Sequence, residues 1–354
     1  MNETSAQNFT AGPTRDEPAC WIAGTTPTIQ ARFEIRPADI RSAALSAVGF
    51  GSILSWIDET AVAFSNGVTK ASGAAHHPDY ASFPLALDIP TVVSRSTNEL
   101  LHWSATSING HALPSSVFIA TNGPGVAYSI LDEPKLPWTD ADISETNVWV
   151  SALDVICSTN WAGGLSSKTS VASCIASSIF SSGKFTYEIV DGESKFLIGN
   201  TFMLSRFLRR LKGAGTAEVN CTDCANATVS LANAVGCSLW SSVMGYHFDT
   251  NPYCAIGRTP WNPPTWGWGF SYHEVAWDGM AGDSDLVFDA CLQYDGDADP
   301  QHAPRTASQP VSVPFSDGNS GSPFVYRERL TPAGPDGYES CISRPMEKRR
   351  NGVR

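Results

Sequence analysis

The sequence predicts an α+β protein: a β-rich, sandwich-like first half, then a half in which helices come before strands. Three observations carry this. Short alternating apolar runs with Gly, Pro and Asn between them occupy the chain up to residue 131. After about residue 145 the apolar spacing turns helical. Two further strand-like runs then follow a stretch rich in Pro, Gly and Trp.

In the first half, residues 31–35 alternate at period two, as do 100–107 and 117–120 more loosely. Residues 126–131 form another run, entered through Asn-Gly-Pro-Gly at 122–125, which predicts a turn. Residues 40–50 suit one helix. Pro134 and Pro137 then stand too close together for a ladder to pass, which puts a domain boundary there. The expected division is a flexible lead-in over 1–18, a β-rich domain over 19–136, a second domain over 137–300, and a C-terminal extension over 301–354. Its last residues, from Met346 on, are expected to fray as a basic tail.

In the second half, 148–157 and 170–180 have helical spacing, with Val171, Ile175, Ala176 and Ile179 on one face. Residues 202–211 read as an amphipathic helix with Arg206, Arg209 and Arg210 on its wet side and Gly213 as its stop. A further helix should start near Asn220 and run to Val235 and Gly236. Ala225, Ala227, Ala232 and Ala234 make it narrow enough to lie close against a sheet. Strands are expected over 271–277 and 286–292.

Composition narrows the function classes. Charged residues make up 16%, against a usual ~25%, while 16 Phe, 11 Trp and 9 Tyr supply a large core, so a packed chain is expected rather than disorder. The net charge of −12 and the lack of basic runs before the last residues argue against a nucleic-acid partner. No apolar stretch approaches ~18 residues, so no spanning helix is expected. The polar start lacks a secretory signal's apolar core, which favours the cytoplasm. Nine cysteines with no such signal make free thiols the default.

The chemistry centres on Cys221, where the narrow helix begins. A thiol there meets unpaired N–H groups and the positive end of the helix dipole, which favour the thiolate. The same N–H groups point at any oxyanion formed beside the sulfur. Asn220 suits the cap and Asp223 the first turn. His273, in a strand-like run, offers a proton acceptor, and Asp289 an orienting carboxylate. The interval between them fits a strand, a turn and a returning strand, so the two can be neighbours on an antiparallel pair. Glu274 alternates away from His273 and is a poorer partner.

Cys221-Thr-Asp-Cys-Ala225 at a helix start, His273-Glu-Val-Ala-Trp277 and Leu286-Val-Phe-Asp289 occur in that order. Together they make residues 148–295 similar to the transglutaminase-like family of papain-fold thiol enzymes. The resemblance implies a Cys221–His273–Asp289 triad in a transglutaminase-like, papain-like α+β domain, with Cys224 where the family has a buried aromatic. It departs from the family in having Asn220 before the cysteine and Cys237-Ser-Leu-Trp240 after the helix. It implies a thiol enzyme that cleaves or exchanges amide or isopeptide bonds of a peptide or protein through a Cys221 thioester. Hydrolysis is favoured over amine-accepting transglutaminase chemistry, and no metal or organic cofactor is implied. Trp161, Trp266, Trp268 and Tyr272 are candidate substrate-binding residues, and Trp277 a core residue.

Other patterns compete. In a second reading the triad is inert and the chain is a binding module that uses the Trp-rich loop around Trp261, Trp266 and Trp268. Cys221, Cys224, Cys237, His247 and Cys254 supply enough zinc ligands but lack a second tight pair. Residues 317–323 resemble a serine-protease nucleophile loop around Ser320, and His76 and His77 stand in a weak counterpart of its histidine motif. Asp295, Asp297 and Asp299 have calcium-loop spacing, but Pro300 stands where the loop needs Gly.

Overall fold

The computed structural model describes residues 19–25, 28–31, 41–49, 56–65, 68–69, 81–84, 89–140, 148–258, 269–295, 307–308, 313–319 and 325–354. They belong to a mixed α+β fold that divides into two compact units.

The first unit holds the described residues up to Asp132, with 148–159 and Gly163–Ser166. Its strands are β1 (Ala19–Ile22), β2 (Thr28–Ala31), β3 (Ser42–Gly49), β4 (Trp56–Ser65), β5 (Val68–Thr69), β6 (Ala81–Pro84), β7 (Ser94–Ile108) and β8 (His111–Ile130). Six of them form a sheet in the order β1-β8-β7-β3-β4-β5, and β2 pairs with β6. Phe83 from the small sheet meets Trp103 from the large one edge-on at 4.8 Å, and Leu45, Val62, Ile89 and Leu101 fill the same core. Helix α1 (Val150–Ile156) is tied to this unit through Asp154, which takes Arg95 at 2.8 Å and the Tyr128 hydroxyl at 2.7 Å.

The fold departs from two local expectations. The helix expected over 40–50 is the strand β3. It is hydrogen-bonded on both edges, by β4 and β7, and Leu45 and Ala47 are buried, so sheet pairing overrides the helical propensity of its alanines. The turn expected at 122–125 does not form, because β8 runs straight through it. Leu101 faces Asn122 and Glu99 faces Gly125, so β8 carries one extra residue and the glycines sit in a bulge. Of the expected run 31–35, only Ala31 lies within the described residues.

The second unit holds 133–140, Asn160–Ala162 and the described residues from Ser167 on. Its helices are α2 (Lys168–Ser181), α3 (Leu204–Leu211), α4 (Cys221–Ala234) and α5 (Tyr326–Leu330). Its strands are β9 (Thr186–Tyr187), β10 (Leu197–Ile198), β11 (Thr201–Phe202), β12 (Glu218–Val219), β13 (Trp240–Asp249), β14 (Tyr253–Ala255), β15 (Gly269–Trp277), β16 (Leu286–Phe288), β17 (Leu292–Asp295), β18 (Ala307–Ser308), β19 (Val313–Pro314) and β20 (Gly352–Val353). The sheet that matters for the site has the order β13-β15-β16-β19.

All of α4 is buried, and it packs against α2, β15 and β13. Its alanines let these neighbours approach, and its polar side chains bond inside the fold. The Thr228 hydroxyl donates to Cys224 O, and Asn233 closes the far end with three bonds to Leu136 and Leu239.

The basic tail is paired, not frayed. β20 runs parallel to β11, Arg349 exchanges backbone bonds with Ser241, and the Asn351 side chain donates to Asn226 on α4 at 2.7 Å. Each of these removes a polar group from water into a satisfied position, which holds the segment down.

Opposite His273, β13 carries a bulge. Val243 pairs with Glu274 and Tyr246 with Tyr272, so Met244 and Gly245 together face one residue. Gly245 has φ +70°, and a Cβ there would run into the backbone oxygen of Ser340. Gly245→Ala should therefore destabilise the protein by ~2 kcal/mol or more, read as a lower denaturant midpoint with an unchanged slope. A variant as stable as the parent would mean that the 340–341 segment yields easily.

Candidate active site

The site starts from the cap of α4. Asn220 accepts from the Asp223 backbone N–H at 3.0 Å, and Asp223 accepts from the Asn220 N–H at 3.2 Å, a reciprocal capping box. Asp223 does more than cap. Its carboxylate also accepts from the backbone N–H groups of Lys195 and Phe196, both at 2.9 Å, and from the Ser194 hydroxyl. It is fully buried, and burial pushes its pKa up against the pull of these donors. The Asn220 side chain donates to Gly192 O at 2.8 Å, so the loop before Ser194 is tied to the same cap. Glu188 shapes that loop from inside by accepting from the N–H groups of Val190 at 2.6 Å and Asp191 at 3.2 Å.

Cys221 is the first residue of α4. Of the N–H groups in the first turn, that of Asp223 goes to the Asn220 side chain and that of Cys224 to Asn220 O. Those of Cys221 and Thr222 precede any intrahelical acceptor. Cys221 lines a cleft of about 290 Å³ together with Tyr187, Val190, Asp191, Gly192, Phe270, Ser271 and Tyr272.

His273 reaches the same place from β15. Its Nε2 lies 2.9 Å from Asp289 Oδ2, with both side chains buried. β15 and β16 are antiparallel, with Ala276 opposite Phe288, so the residue after β16 arrives beside His273. Nδ1, on the other side of the ring, is buried and closes no hydrogen bond. The Cys221 sulfur is close enough to add to the proton affinity of the ring. Burial alone would lower the pKa of this imidazole. The charge and hydrogen bond of Asp289, then Cys221, outweigh it and raise it to about 10. Phe270 packs against the ring at 5.0 Å.

Asp289 is held on both oxygens. Oδ1 accepts from the N–H groups of Cys291 at 2.7 Å and Leu292 at 3.1 Å, and Oδ2 accepts from the Tyr326 hydroxyl at 2.5 Å. Tyr326 stands on α5, far along the chain, and nothing in the sequence pointed to it. A second network adjoins the first. Glu274 binds Arg349 Nη2 at 2.8 Å and Nε at 3.2 Å, and takes the Thr222 hydroxyl at 2.8 Å. Thr222 in turn contacts the Tyr272 hydroxyl at 3.1 Å. Neither Arg349 nor Thr222 had a sequence signal. The alternation of β15 indicated only that Glu274 would bond elsewhere than His273.

The structure brings Cys221, His273, Asp289 and Tyr272 together. Trp161 is not among the residues lining the cleft. It sits in the turn before α2, where its carbonyl accepts from the Cys174 thiol at 3.2 Å. Trp261, Trp266 and Trp268 lie outside the described residues, as do Ser320, His76, His77, Asp297 and Asp299. Trp277 is buried, and its ring N–H donates to Ser242 O at 3.1 Å. Cys224 is buried beside Cys291, and all nine cysteines are free. Among the described residues no three metal-ligating side chains are placed to hold an ion, and Cys237 instead donates to Lys168 O at 3.4 Å. No helix among them is long and apolar enough to cross a membrane.

No protein-family profile and no curated protein matches the sequence. Among solved structures, the chain is similar to the transglutaminase of red sea bream at 9% identity and a TM-score of 0.38, over 82% of this chain. It spans 51% of the length of that enzyme.

The raised pKa of His273 carries a sign. The folded protein holds this proton more tightly than the unfolded chain, whose imidazole titrates near 6.5. The stabilisation is complete below pH 6.5 and is lost as pH rises toward 10. In Asp289→Asn the charge is gone and burial dominates, so the imidazole pKa should fall below 6.5. Titration of the ring by NMR checks this; an unchanged midpoint would mean that Asp289 does not set it. Tyr326→Phe, which removes one donor from Asp289, should raise the His273 midpoint further in the same experiment.

Proposed function

We propose that this chain is a thiol enzyme of the transglutaminase-like type, acting on amide or isopeptide bonds of a peptide or protein, with hydrolysis as its main outcome. One observation carries the proposal. A buried imidazole is bonded to a buried carboxylate through one nitrogen, its other nitrogen has no hydrogen-bond partner, and a helix-start cysteine that opens to a cleft is near enough to raise its proton affinity.

The Cys221 sulfur attacks the carbonyl carbon, and Nδ1 of His273 holds the thiol proton. The oxyanion forms beside the N–H groups of Cys221 and Thr222. As the C–N bond breaks, His273 gives its proton to the leaving amine, and a Cys221 thioester remains. Water then adds to the thioester, His273 takes its proton, and the acid leaves as the thiol is restored. Asp289 holds the ring in orientation and stabilises its charged form, and Tyr326 holds Asp289. Asp191, Ser271 and Tyr272 set polar groups among the apolar Val190 and Phe270 on the cleft walls, which supports a path for water to the thioester.

Cys221→Ala should abolish turnover, and His273→Ala should lower it by ~10³-fold or more. Asp289→Asn should cost less than either, because it disturbs orientation rather than removing a reacting atom. Incubating the protein with peptide acyl donors and a primary amine, then weighing the products, tests the balance. Free acid in excess of amine adduct is expected. Adduct in excess would reverse the order of the two chemistries, and no thioester trapped at Cys221 with any donor would leave an inert binding module.

A further inference from the structure

We infer that Tyr272 is a specificity-determining residue whose phenolic oxygen accepts a hydrogen bond from an amide N–H of the group bound at Cys221. This deepens the thiol-enzyme proposal and rests on it.

The direction of the bond follows from counting protons along one chain of contacts. Glu274 is buried and is gripped by Arg349 through two nitrogens, so its carboxylate only accepts. Its Oε2 takes the hydroxyl of Thr222 at 2.8 Å. Thr222 has a single hydroxyl proton, and that proton is now committed. The 3.1 Å contact between Thr222 and Tyr272 must therefore be donated by Tyr272. Tyr272 also has a single proton, so only lone pairs remain on its oxygen for the cleft that it lines beside Cys221. Burial, then the neighbouring Cys221, pushes the pKa of this phenol up to about 12, so it keeps its proton.

Two consequences follow for the substrate. A carbonyl or oxyanion finds no donor at Tyr272, which leaves that task to the backbone N–H groups at the start of α4. An N–H on the acyl or amine side finds an acceptor with no competing proton. Substrates and reagents that carry an N–H are thus preferred over esters and N,N-dialkyl amides of similar size, where the Tyr272 oxygen would lose a partner.

The test needs no natural substrate. The full-length protein is alkylated with 2-chloroacetamide and, separately, with N,N-dimethyl-2-chloroacetamide. Rates at Cys221 are read by peptide mass mapping and divided by the rates of each reagent with glutathione. The expected result is that Cys221 favours the N–H reagent in the parent and that Tyr272→Phe, which keeps the ring, loses ~10-fold of that preference. Thr222→Val leaves the phenol in place but frees its proton, and should lose the preference as well. Equal preference in the parent and Tyr272→Phe, with Cys221 still reacting selectively, would overturn the inference while the thiol-enzyme proposal stood. A loss in Tyr272→Phe but not in Thr222→Val would overturn the wired direction of the bond. Cys221 labelling no faster than the other thiols in the parent would overturn the thiol-enzyme proposal itself.

Discussion

Burial of α4 along its whole length is the constraint on which the rest of the second unit depends. A helix with no wet face must be narrow, and its polar groups must find partners inside the fold. Its four alanines meet the first requirement, and Thr228, Asn226 and Asn233 meet the second through bonds to backbone and to Asn351. The start of such a helix cannot shift without unpacking its length. Asp223 adds a second lock, because one buried carboxylate satisfies both the cap and the N–H groups at 195 and 196. Cys221 is thereby held where the helix meets the cleft.

Adjacent residues of β15 feed two separate charge networks. His273 is tied to Asp289 and through it to Tyr326, while Glu274 is tied to Arg349 and through Thr222 to Tyr272. Each network keeps a buried carboxylate fully partnered, which matters because removing one partner of a buried pair costs far more than the pair contributes. The bulge at Met244 and Gly245 lies opposite His273, and the alternation of the strand sends the two side chains to opposite faces. The chain beyond residue 325 supplies Tyr326, Arg349 and Asn351, so these late residues brace the site from outside its motifs.

Much of this was legible locally. The spacing of Val171, Ile175 and Ile179 marks α2, and Asn220 with Asp223 marks the start of α4. The order cysteine, histidine, aspartate marks three side chains that the fold then gathers. The failures are also local in origin. The alanines at 43, 44 and 47 favour a helix in isolation, and the glycine-rich segment at 122–125 favours a turn. In each case hydrogen bonds to neighbouring strands decided otherwise, and no short window of sequence contains those neighbours.

The sequence by itself determined which residues carry reactive groups, roughly where α2, α3 and α4 run, and that the cysteine stands at a helix start. These follow from composition, period and capping, which act over a few residues. Only the tertiary structure decided which oxygens face His273 and Glu274, that Tyr326 and Arg349 brace them, that the basic tail is a paired strand, and that Trp161 is not part of the cleft. Those outcomes depend on contacts between residues distant in the chain, whose energies come from burial and from pairing every buried polar atom, and neither exists until the chain has closed around α4.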